Sequence, residues 1–133
     1  MKKILFALAI ALMATVSCGK QNTDVDNRLV GTSFFSSGYS NILGPTMGIY
    51  GHIYKFTDAY HGTGIWVDEN NKQVGDTESF TYFLDYPNMS ITNDKPGSSG
   101  TAKTYKFIFT DPNTFVGLND KGEQNKINTY RKQ

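Results

Sequence analysis

Residues 47–68 read MGIYGHIYKFTDAYHGTGIWVD, and their spacing decides the fold class. From position 50, Tyr50, His52, Tyr54 and Phe56 fall on alternate residues, with Gly51, Ile53, Lys55 and Thr57 between them. A period of two places one set on each face of a β-strand. Residues 58–62 (DAYHG) are a turn ending in glycine. Residues 63–68 (TGIWVD) begin a return strand, and residues 69–72 (ENNK) turn it around.

The same grammar extends in both directions. Residues 29–36 (LVGTSFFS) make an earlier strand, joined by a Ser/Gly/Asn/Pro-rich connection over 37–45. Downstream, a fourth strand runs through residues 79–85 (SFTYFLD), followed by strands at 89–92 (MSIT), 102–110 (AKTYKFIFT), 114–119 (TFVGLN) and 127–131 (INTYR). The linkers are rich in Gly, Pro, Asn and Asp, and residues 93–100 (NDKPGSSG) form the most turn-like of them. No helical periodicity is evident after Leu29. Strands interrupted about every 8–12 residues are the signature of a sandwich or barrel. Short links favour antiparallel neighbours, and eight such strands can close up-and-down into a barrel without edges. The fold class is therefore all-β: an eight-stranded antiparallel up-and-down barrel, with a β-sandwich as the alternative.

The N-terminus carries different information. Met1-Lys2-Lys3 precedes an uncharged apolar run, and Ala14 to Ser17 are mostly small. Positive charge, a short apolar stretch and small residues make a secretory signal; the run is too short to span a bilayer, which takes roughly 20 residues. Thr15-Val16-Ser17-Cys18 resembles the lipobox of bacterial lipoproteins, with Thr15 where leucine is usual. Cys18 is the single cysteine, so it has no internal disulfide partner. The resemblance implies cleavage after residue 17 and lipidation of Cys18, which would hold the protein on a membrane. Stable anchoring by lipid takes more than one acyl chain. Gly19, in place of aspartate, resembles the outer-membrane case of lipoprotein sorting, so the expected location is the cell envelope, lipid-anchored at the outer membrane. Residues 1–17 are thus read as a signal peptide, 18–28 as the lipidated cysteine and a polar tether, and 29–133 as one β domain.

Without residues 1–17, the 133-residue chain retains 11 of its 13 basic residues and all 12 acidic ones. That near-neutral balance argues against an electrostatically driven nucleic-acid partner. Catalytic and metal signatures are likewise missing. His52 and His61 have no motif partner, the lone cysteine is assigned to lipid, and no nucleophile elbow or phosphate-binding glycine loop occurs. The chain is expected to be no enzyme and to need no cofactor or metal. Glu78, Asp85 and Asp94 read as solvated charges at strand ends or turns. His52, in mid-strand on an aromatic face, reads as a core or cavity-wall histidine.

Tyr54 to Phe56, Gly62-Thr63-Gly64-Ile65-Trp66, Phe80-Thr81-Tyr82, Leu29-Val30-Gly31-Thr32 and Tyr130-Arg131 occur in an order that resembles small lipoproteins of Bacteroidetes with lipocalin-like (calycin) domains. The resemblance implies a calycin barrel. Ser33 stands where that family has tryptophan at the closed end, often beneath an arginine of the last strand; Arg131 would then need Phe34 or Phe35 as its aromatic partner.

Eight tyrosines, one tryptophan and all but one of nine phenylalanines lie after residue 17. Two uses are open: a filled core, or a partly open cup lined by rings. Tyrosine keeps its hydroxyl partnered when buried, so its frequency suits a cup with some polar lining. The candidate interior ligand site is Tyr54, Phe56, Trp66, Phe80, Tyr82, Tyr105 and Phe107, for a small apolar or amphipathic molecule. The alternative is a cell-envelope interaction protein that meets a glycan or protein through residues 37–45 and 93–100.

Overall fold

The computed structural model describes residues 25–38, 40–94 and 102–133. The signal, Cys18 and most of the 93–100 linker lie outside them. Eight strands form one closed barrel, each antiparallel to the next: β1 (Ser33–Ser36), β2 (Gly51–Phe56), β3 (His61–Val67), β4 (Gln73–Asp85), β5 (Asn88–Asn93), β6 (Thr104–Asp111), β7 (Thr114–Leu118) and β8 (Gln124–Lys132). Closure is made by β8 on β1, with Arg131 opposite Phe35 and Lys132 opposite Phe34. The sandwich alternative is excluded.

One element departs from the sequence reading. Residues 40–47 form a helix, α1 (Ser40–Met47), rather than an irregular connection, and β2 consequently starts at Gly51 instead of Met47. Gly44 and Pro45 are poor helix residues, no acidic residue occupies its first turn and no basic residue its last. Local preference is therefore weak. It ends on Gly48, whose φ of 66° is left-handed and whose amide donates to the Gly44 carbonyl at 2.9 Å.

Inward positions follow the alternation. Phe34, Phe56, Phe80, Ile91, Phe109 and Phe115 pack with Leu29 into one buried cluster. The Phe34 ring meets Phe115 at 4.9 Å and stands edge-on to Phe56 at 5.9 Å and to Phe109 at 6.0 Å. Edge and tilted contacts of this kind let phenylalanines fill a narrow tube at native density. Phe34 takes the inward place near the closed end. Arg131 is exposed on the outside, paired across from Phe35, so it does not lie beneath a core ring.

The barrel is filled at one end only. Leu29, on the segment leading into β1, is buried in the cluster, and the Gly31 amide donates to the Phe56 carbonyl at 2.8 Å. Arg28 lies over the Tyr86 ring at 4.0 Å, a cation–π contact at the β4–β5 turn. The Tyr82 hydroxyl donates to the Asp58 carbonyl in the β2–β3 turn at 2.7 Å. The chain thus enters the barrel at its closed end, and α1 lies in a connection at the opposite end.

Candidate functional site: the barrel mouth

At the end opposite Leu29 the interior opens into a cup of about 160 Å³. Its floor is Tyr54, Phe107 and Tyr130, all buried. Tyr54 and Tyr130 meet at 4.8 Å, and Tyr130 stacks on Phe115 at 5.1 Å, so the floor rests directly on the filled half. The rim is Trp66, Glu78, Asn93, Tyr105 and Asn128, and His52 forms one wall.

Glycines make the space. Across the ladder, Tyr54 faces Gly64 and Phe107 faces Gly117, so two inward positions carry no side chain. A Cβ on Gly64 would stand 3.1 Å from His52 Nε2 and 3.6 Å from Glu78 Oε1; one on Gly117 would stand 2.7 Å from the Asn128 Cβ. Gly62, deeper in the barrel, similarly makes room for the Phe80 ring against the Lys55 carbonyl. The Gly62-Thr63-Gly64 string thus has a physical reading: both glycines face inward beneath neighbouring side chains.

His52 organises the polar side of the cup. Its side chain is 4% exposed and lies between Trp66 (4.4 Å between ring centres) and Tyr54 (4.6 Å). Its Nδ1 shares a 2.8 Å hydrogen bond with the Tyr130 hydroxyl, and its Nε2 lies 3.8 Å from Glu78 Oε1. The latter distance is longer than a formed hydrogen bond. The Glu78 side chain is 45% exposed. The neighbouring His52 ring holds its carboxyl below the usual carboxylate range; the Trp66 indole N–H adds to this, and partial burial opposes it.

Of the residues singled out in the sequence, Tyr54, Trp66, Tyr105 and Phe107 come together at the cup. Phe56, Phe80 and Tyr82 are inward too, but they belong to the filled half and do not line it. Burial, and then the Asp58 and Asp26 charges, push the Tyr82 hydroxyl up to about 12. Glu78 is corrected: it sits within β4, opposite Gly64, and faces the cup rather than ending a strand in solvent. Asn93, Asn128 and Tyr130 went unselected, yet each shares the parity of its strand's inward residues; extending the alternation of Phe80 and Tyr82 back by two reaches Glu78. Asp85 and Asp94 are away from the cup. Among the described residues there is no cluster of three or more metal-ligating side chains.

No protein family, curated protein or solved structure matches this chain.

Proposed function

We propose that this protein is a lipid-anchored, non-catalytic binding module of the cell envelope, whose barrel mouth takes the head of a small amphipathic ligand. One observation carries the reading: a barrel otherwise packed with rings keeps a cup of about 160 Å³ at one end, walled by aromatic faces and polar groups together. Concave sites of this mixed kind use apolar walls for affinity and a few polar groups for orientation. Pockets for drug-sized molecules measure roughly 300–1,000 Å³, so this cup suits a head group, with any longer tail leaving through the mouth.

His52 and Glu78 converge there, the arrangement from which acid–base chemistry is built. They are read as binding groups because His52 is buried, with Nδ1 committed to Tyr130 and Nε2 turned toward Glu78. That leaves Glu78 as the acidic group open to a solute. Contact with an envelope protein is a second reading, favoured by Phe83, which is 66% exposed on the outer face and lines, with Ser90, Lys106 and Leu118, a groove of about 300 Å³.

The test is a titration of isotope-labelled full-length chain with small amphipathic molecules. The expected result is displacement of amide and indole signals from His52, Trp66, Asn93 and Asn128, while those of Phe34, Phe56 and Phe80 stay still. A panel of neutral, cationic, anionic and apolar compounds that leaves the mouth signals unmoved would remove the reading.

A further inference from the structure

The charge and the rings of the cup narrow the ligand further. Among its lining residues Glu78 alone carries a carboxylate, and none is lysine or arginine. Besides His52, Asn93 and Asn128, the remaining lining is the rings of Tyr54, Trp66, Tyr105, Phe107 and Tyr130. Aromatic faces are the negative ends of ring quadrupoles and attract cations, most strongly where water is thinned out.

We infer that the mouth selects a small organic cation, an ammonium on a short apolar body, with Glu78 as its counter-ion and the rings of Trp66, Tyr54 and Tyr105 as its walls. This rests on the mouth being a binding site. Two further observations agree. Size is the first: a cavity of about 150 Å³ accepts benzene, and a methylated ammonium group is of that order. Position is the second: Gly64 keeps the space between His52 and Glu78 free of a Cβ, so the carboxylate borders the cup instead of being walled off. The Lys103 ammonium already lies over the Tyr105 ring at 5.6 Å from its centre, so a ligand cation has to displace it from that ring. The ionised state of Glu78 is favoured by its neighbours, as described above. An anionic head would meet the like charge of Glu78, and a bulky flat lipid would exceed the volume.

The experiment compares two probes of nearly equal shape: choline and its neutral carbon isostere 3,3-dimethylbutan-1-ol. Each is titrated into full-length chain, with glucose and a neutral apolar dye as further probes, and binding is followed by the fluorescence of Trp66, the single tryptophan. Choline is expected to bind at least tenfold more tightly than the isostere. Glu78→Gln is expected to bring choline down to the isostere's affinity and leave the isostere unchanged, which also shows that the variant is folded. Equal binding of the two probes, tighter binding of glucose, or an unaltered choline affinity in Glu78→Gln overturns the cation assignment and leaves mouth binding standing. Silence of Trp66 toward every probe, with unmoved mouth signals in the labelled protein, overturns both.

Discussion

Phe115 exposes no surface, and its ring lies within 5.2 Å of those of Phe34, Phe107, Phe109 and Tyr130. Truncating such a residue removes its transfer free energy and leaves a hole that packed neighbours cannot close. Phe115→Ala should therefore cost about 3–5 kcal/mol. Phe83→Ala, on the exposed outer face, should stay within about 0.5 kcal/mol. Urea unfolding of the two variants checks the contrast. Tyr82 gives a pH signature. Its hydroxyl is pushed from 10.0 to about 12 by burial first and by the Asp58 and Asp26 charges second. A raised folded value means that its contribution is complete below pH 10 and is lost as pH rises toward 12, where only the unfolded chain readily gives up the proton. An absorbance titration should show one tyrosine ionising last, and Tyr82→Phe should flatten the alkaline loss of stability. An unchanged slope would count against this cause. Glu78 works in the opposite direction. Its carboxyl lies below the ordinary 4.5, so its contribution is complete above that pH and fades as pH falls through the depressed value. Because the group is half-exposed, the amount is about 1 kcal/mol or less. Replacing His52 with glutamine should let the carboxyl return toward its ordinary value, as read from its carbon shift.

Strand β3 is where a local motif becomes a site. Gly64→Ala would press a methyl toward a histidine ring held between Trp66 and Tyr54. Overpacking of this sort costs about 1–3 kcal/mol, and the displaced ring should weaken ligand binding at the mouth as well. Gly62→Ala meets the Lys55 backbone and the Phe80 ring, so it should destabilise more while acting on the filled half; calorimetry alongside the probe titration separates the two. The eight strands were legible in advance because turn residues part them and most alternate inward apolar with outward polar residues, a pattern that burial of one face imposes directly. Helix α1 was not, since Gly44 and Pro45 mark a turn by every local rule. Glu78 was missed for a related reason: an isolated glutamate near Gly75 and Asp76 resembles a turn charge, and β4 runs to 13 residues, beyond usual strand length. Nor does alternation say how far up a barrel its filling reaches. Phe56, Phe80 and Tyr82 share the parity of Tyr54 and Phe107, and height along the axis, set by register, is what divides core from cup.

The molecule as a whole has two unlike ends. At one, Leu29, Arg28 and Tyr86 plug and brace the barrel where the chain enters it; at the other, the cup opens. If Cys18 carries lipid, the seven residues from it to Val25 reach at most about 25 Å, and the described chain begins at the closed end, so the expected orientation has the mouth facing away from the bilayer. A ligand would then be taken from the aqueous side rather than drawn out of the membrane. The single tryptophan makes this measurable, because Trp66 stands at the mouth. Protein isolated with its lipid and placed on vesicles of brominated phospholipid should keep its tryptophan fluorescence, since bromine quenches only near contact, whereas acrylamide in the water should quench it. Cys18→Ser should leave the chain off the vesicles altogether. Strong quenching by the brominated lipid would mean that the mouth lies against the bilayer, and the ligand's route would have to be redrawn from the membrane side.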